Sequence, residues 1–284
     1  MPINKITGVS VVLLAVIIVG GILGYLGIVR EKSELGGILD VEMPMEQSVR
    51  EIEVSMWETT NAIFYYMLEP SAISLEEYKK QLKDIEEFVV KYKALINTEK
   101  EKKILEKFEK KWADSVSKAE ELIRLRDKME ELHEKAWDMV GDADDIIDYK
   151  IQPAFMAGVP DLIEKEKAVR EVEVSIWEAI SATNYYLYRQ FDKPKRVYHS
   201  QLADVDEFWG NYKKLSITPS EQAHIDEFEN EWSRSRKLME ECHALADELK
   251  KKYLIFWESA HAADDIIDFD IQEHLKKRIE DRRK

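Results

Sequence analysis

Cysteine is nearly missing from this chain. Cys242 is the single one among 284 residues, so no intrachain disulfide can staple the fold. Its neighbours are Glu241 and His243, and at its place it reads as a small core residue. Glycine and proline are scarce as well, at 10 and 7. Both interrupt regular structure, so their scarcity predicts long helices in a sequence rich in Ala, Glu, Lys and Leu. Positive charge is the minority sign: 42 Lys and Arg stand against 57 Asp and Glu, a net charge of −15. That balance lacks the basic face that phosphates require, and no nucleic-acid partner is expected. A glycine-rich phosphate loop and a Ser or Cys on a nucleophile elbow are also missing, and the histidines are scattered. The sequence therefore reads as no enzyme, with no cofactor and no metal. Disorder is excluded too, because 45% of the residues are hydrophobic.

One stretch lacks charge altogether. Residues 6–29, "ITGVSVVLLAVIIVGGILGYLGIV", hold no acidic or basic side chain. About 24 residues of helix rise roughly 36 Å, enough to cross a bilayer. A secretory signal would be shorter and would end in a small-x-small cleavage site. The expectation is an uncleaved single-pass anchor in the cell membrane, after a short tail at 1–5 and before a linker at 30–44. Lys5 faces Arg30 and Lys32 across the span, so charge bias barely orients it. The short N-terminal tail favours a cytoplasmic N-terminus and an extracytoplasmic body. Gly20 and Gly24 make a small-xxx-small pair that can seat a second anchor helix in a homodimer.

The rest of the chain is written twice. "EVSMWETTNAIFYY" at 53–66 returns as "EVSIWEAISATNYY" at 173–186. Trp57/Trp177, Trp112/Trp232, Trp137/Trp257 and Asp148/Asp268 all keep an offset of 120. Roughly a third or more of the aligned positions are identical, without insertion or deletion. The first repeat covers 45–155, with helices over 45–68, 75–95 and 99–152. A distal turn at 156–164 leads into the second repeat, 165–275, with helices over 165–188, 195–215 and 220–272. A basic tail, 276–284, follows; it either rests on anionic headgroups or stays solvated. Apolar seams mark the helices: Val49, Ile52, Met56, Thr59, Ile63 and Tyr66 step by three and four. Thr98 with Glu101, and Thr218 with Glu221, read as capping boxes that start both long helices.

Each long helix is about twice the length of a short one. One repeat alone supplies three-quarters of a four-helix bundle. The fold class expected is all-α: an N-terminal transmembrane helix, then two stacked antiparallel four-helix bundles sharing two long helices, each borrowing its fourth helix from the other repeat. This arrangement requires Trp137 and Trp177 to be close. It also sets Arg50 beside Asp265 and Asp268, and Arg170 beside Asp145 and Asp148, as structural ion pairs relieving the twin "ADDIID" runs. Glu130-x-x-His133 and Glu258-x-x-His261 match half of a di-iron site, but they are not equivalent under the 120 offset and read as chance pairs.

The pattern from "WE…YY" to "W…ADDIIDYKIQP", after one N-terminal span, resembles the helical bimodular ectodomains of bacterial chemoreceptors and HAMP-linked sensor kinases. The resemblance implies a sensory or ligand-binding domain that relays binding through its long helices. No family ligand motif is legible, so no ligand residue is carried over. From the residues themselves, the polar and small seam positions Thr59, Thr183 and Ala179 leave room for a small organic ligand. Asn61, Tyr65, Asn184, Tyr185 and Tyr188 are the lining it would have. A second reading stays open: a membrane-tethered helical scaffold or adaptor for another protein, such as a periplasmic one, with no small ligand. The sequence ends at "IQEHLKKRIEDRRK" without a second span or output domain, which is the ground for that reading.

Overall fold

Three- and four-residue apolar steps leave the backbone one economical choice, and the structure adopts it throughout. The computed structural model describes residues 23–27, 29–30, 32, 36–156, 161–189 and 192–282. Among them every regular element is helical. They are α1 (Met43–Leu68), α2 (Ala72–Leu95), α3 (Glu99–Ile146), the short α4 (Gln152–Met156), α5 (Leu162–Arg189), α6 (Asp192–Tyr212), α7 (Pro219–Asp265) and α8 (Glu273–Arg282). Wide π-helical turns stand at Ile38–Glu42, Ile147–Ile151 and Ile266–Gln272.

The chain divides into two compact units. The first takes 43–59 of α1, 79–95 of α2, 99–112 of α3, and 260–282 from the end of α7 through α8. Three of these four segments come from the first repeat and one from the second. Met45, Val49, Ile52, Met56, Ile85, Tyr92, Leu105, Phe108, Ala263, Ile267 and Ile271 are buried together with them. The second unit takes α5, α6 and 219–259 of α7, together with 60–78 and 113–156 of the first repeat. Its core runs from Ala136 and Val140 on α3 through Val172, Ile176 and Ile180 on α5 to Tyr198, Val205 and Tyr212 on α6 and Phe228 and Met239 on α7. Each unit is thus completed by a helix from the other repeat. Full burial of such side chains stabilises by about 1.5–3 kcal/mol apiece. Trp137 and Trp177, inside the second unit, meet edge to face at 5.7 Å.

Both capping boxes form. Thr98 Oγ1 accepts from the Glu101 amide at 3.1 Å, while Glu101 Oε2 accepts from the Thr98 amide at 3.0 Å. The Thr218 and Glu221 distances are 3.2 and 2.8 Å. Each capping glutamate is itself buried and must be neutralised. In the second unit Lys165 of α5 does this: its Nζ lies 2.7 Å from Glu221 Oε1 and 2.6 Å from the Ser216 carbonyl, and Tyr212 donates to the same carboxylate at 3.0 Å. In the first unit the cation is Arg278 of α8, which reaches Glu101 at 2.6 Å and buried Glu42 at 3.0 Å. Of the basic tail at 276–284, the residues up to Arg282 continue α8, and Arg278 turns inward to two carboxylates.

The anchor expected at 6–29 falls largely on residues 1–22, outside the described residues, as does Gly20 of the Gly20/Gly24 pair. Among the described residues no helix is long and apolar enough to cross a membrane. Residues 157–160 of the distal turn also lie outside them.

The buried Lys165–Glu221 pair yields a test. Removing one partner strands a charge, so Lys165→Met is expected to destabilise the chain by about 3–5 kcal/mol. Lys83→Met, on the exposed Lys83–Glu87 pair, is expected to leave the urea midpoint almost unmoved. Equilibrium urea unfolding followed by circular dichroism measures both.

Candidate ligand-binding site

Five residues carried the sequence-based site, and the structure scatters them. Tyr65 and Tyr185 are 61% and 63% exposed, and Asn61 is exposed too, so none of these three lines an internal space. The helical step explains it: the buried members of the two tyrosine pairs are Tyr66 and Tyr186, which donate to Asp127 and Asp247. Asn184 is half-buried, with Oδ1 enclosed and without a partner. The room expected opposite Thr183 is filled by His243, whose ring nitrogen sits 3.1 Å from the Thr183 hydroxyl. Burial, aided by Lys195, pushes that imidazole down to about 4, so it stays neutral. Thr59 satisfies itself by donating to the Ser55 carbonyl at 2.7 Å. Ala179 is wholly buried. Cys242 is buried on α7, and burial pushes its thiol up to about 12.

The expected arginine pairs are also corrected. Among the described residues no ion pair joins Arg50 to Asp265 or Asp268, or Arg170 to Asp145 or Asp148. A glutamine takes that place in each unit. In the second, Gln152 donates to Asp148 at 3.0 Å and to Glu173 at 2.8 Å. In the first, Gln272 donates to Glu53 at 3.0 Å and to Asp268 at 3.2 Å. The predicted helices do meet, but with acids on both sides. Burial, then Asp148, pushes Glu173 up to about 7; burial, then Asp268 and Glu53, pushes Asp264 up to about 6. Arg50 and Asp268 only line one open cleft.

Tyr188, one of the five, lines a cleft. In the second unit a cleft of about 180 Å³ opens between the ends of α1 and α5 and the middles of α3 and α7. Its lining is Phe64, Met67, Leu68, Arg126, Met129, Tyr188, Leu249, Lys250, Tyr253 and Leu254. Arg126, on α3, is the residue that sequence reasoning missed. It is only 1% exposed, an extreme for a guanidinium. Its Nε donates to the Met67 carbonyl at 3.1 Å, and its guanidinium lies 5.1 Å over the Tyr188 ring. Nη1 makes a close ion pair with the Glu130 carboxylate, and Nη2 is buried without a hydrogen-bond partner. Tyr188 donates to the other Glu130 oxygen at 3.3 Å. A signal existed in the sequence. Position 126 carries arginine where the second repeat has Ala246, inside an otherwise apolar seam.

Glu130 is therefore engaged with Arg126, and His133 lies buried beside Trp137, 6.2 Å between rings. No group of three or more His, Cys, Asp or Glu among the described residues is arranged to hold a metal ion.

The acidic seam sets a pH dependence. A folded-state pKa raised above the ordinary glutamate value means that the folded chain holds the extra proton. Stability from Glu173 is therefore present below about pH 4.5 and is lost as pH rises through about 7. Glu173→Gln keeps the hydrogen-bonding shape without the charge. It is expected to raise the melting temperature at pH 8, to change little at pH 4.5, and to flatten the slope between them in scanning calorimetry.

A family model described as a four helix bundle sensory module for signal transduction matches residues 3–150, more than half of the chain. No curated protein and no solved structure matches. The match bears out the chemoreceptor resemblance read from the first repeat. The chain belongs to the family of four-helix bundle sensory modules for signal transduction.

Proposed function

We propose that the chain is a membrane-anchored, extracytoplasmic sensory module of chemoreceptor or sensor-kinase type. A small organic ligand binds in the second unit, and the long helices α3 and α7 carry the change, with the homodimer as the working form. The cleft around Arg126 is the single observation that carries this reading, because it joins a buried charge to an open apolar space in a family of sensors. The charge-free run at 6–29 supports the anchor. The helices support the relay, since α3 and α7 each contribute residues to both units. A ligand that holds one arrangement of α3 against α7 more tightly biases a sliding or rotation of those helices, a recurrent switching motion. The cleft favours this reading over a scaffold without a small ligand.

Topology gives the direct test. Lys103 is exposed on α3, and the one native cysteine is buried. Lys103→Cys is expected to react with a membrane-impermeant maleimide in intact cells. Labelling that appears only after the cells are opened places the body on the cytoplasmic side and ends the extracytoplasmic reading.

A further inference from the structure

We infer that the second unit carries an acid-operated release at His243: the imidazole packs only in its neutral form, and taking up a proton frees α7 from α5 and α6 around it. The inference goes beyond the sensory reading and needs no ligand. His243 is 4% exposed on α7. One ring nitrogen, Nε2, sits 3.1 Å from the Thr183 hydroxyl of α5. The other, Nδ1, is buried and has no hydrogen-bond partner among the described residues. The ring centre lies 4.9 Å from that of Tyr186 on α5 and 4.3 Å from that of Tyr198 on α6. A neutral imidazole carries one N–H, and the Thr183 hydroxyl serves Nε2 as donor or as acceptor. An imidazolium carries two N–H donors and a charge, and burying it with Nδ1–H unmet is costly. The duplication shows that the fold does not require this arrangement. Tyr186, Tyr198 and Asp247 recur as Tyr66, Tyr78 and Asp127, whereas Thr183, Lys195 and His243 stand where the first repeat has Ile63, Leu75 and Ile123. Three apolar positions of one repeat are polar together in the other, inside a frame that both keep.

The surrounding charges favour the neutral ring. From α6, Lys195 and His199 oppose a positive imidazole. On α7 itself Asp247 favours one, but Asp247 already accepts from Lys195 at 2.7 Å and from Tyr186 of α5. Burial raises the phenols of Tyr186 and Tyr198, so both keep their protons. From α3, the Met129 carbonyl meets the neighbouring Cys242 thiol at 3.8 Å. Burial first, then Lys195 and His199, pushes the imidazole down to about 4. A folded-state value below the ordinary one for histidine means that the opened chain takes the proton more readily. The contribution of the neutral ring to stability is therefore complete above about pH 6.5 and is lost as the pH falls toward 4. Glu173 acts in the opposite sense over the same range. Because α7 contributes residues to both units, the release acts on a helix that they share.

Cys242 is the one cysteine of the chain, and it is buried beside His243 in sequence, so its trapping by a thiol reagent reports the opening. The rate of its reaction with 4,4'-dithiodipyridine is measured on the full chain at pH 8 and pH 5.5, at reagent low enough for the rate to be proportional to it. Wild type is set against His243→Gln, which cannot take up the proton, and against the double variant Thr183→Ile/His243→Ile, which installs the apolar pair of the first repeat. Thiol chemistry and Glu173 act alike on all three chains and drop out of the ratio. The wild-type rate relative to either variant is expected to rise about tenfold between pH 8 and pH 5.5. His199→Gln, an exposed substitution, is expected to behave as wild type. A ratio that stays flat or falls overturns the inference, as does loss of the rise in His199→Gln. Should neither His243 variant fold, a nitrogen-15 titration of the wild-type imidazoles by nuclear magnetic resonance decides. A His243 ring still neutral at pH 5.5 upholds the release, and one already charged there overturns it.

Discussion

Three amphipathic helices cannot enclose a four-sided core. Each repeat of this chain has three, and each leaves an apolar stripe that water would meet. The first unit is closed by 260–282 from the second repeat, and the second by 113–156 from the first. This mutual completion is the constraint from which the rest follows. It brings Gln272 of one repeat to Glu53 of the other, and Gln152 to Glu173, in identical roles 120 residues apart. It also brings Trp137 to Trp177.

Buried charge is handled by the same borrowing. A capping box needs a glutamate three residues into the helix, and in each unit that glutamate points into the core. Burial alone would raise the Glu221 carboxyl, but the Lys165 ammonium and the Thr218 cap outweigh it and hold it below the ordinary carboxylate range. Glu101 is held low in the same way by Thr98 and Arg278. The two cations are not equivalent by the duplication, since Lys165 corresponds to Met45. The requirement for a counter-charge is therefore repeated, while its source is solved separately in each unit. The acidic seams reach the opposite solution. There Gln152 and Gln272 bridge the carboxylates, and proton affinity is raised at Glu173 and Asp264.

Against this background of repetition, Arg126 stands apart. It has the burial of a core residue and the unfinished hydrogen bonding of a binding residue. A sensor needs such a place near helices that are long enough to transmit a displacement, and α3 and α7 both pass beside it.

The linear sequence determined the elements and the helical class. Period, capping residues and the 120-residue offset are local or self-referential signals, so they survive without coordinates. Seam positions such as Val49, Ile52, Met56, Ile63 and Tyr66 are buried as their spacing requires. Trp137 and Trp177 could be paired from topology alone, because two segments forced alongside each other must share a register. Only the tertiary structure decided what each side chain meets. Tyr65 and Tyr66 are adjacent in the chain, yet a rotation of about 100° per residue sends one to solvent and the other to the core. The π-helical turns at Ile147–Ile151 and Ile266–Gln272 shift that rotation again beside the acidic seams, where glutamine, not arginine, reaches across. In the sequence Arg126 shows only as an arginine standing against Ala246 of the second repeat. Its burial exists only because the ends of α1 and α5 and the middle of α7 close around it, and no local pattern encodes that meeting.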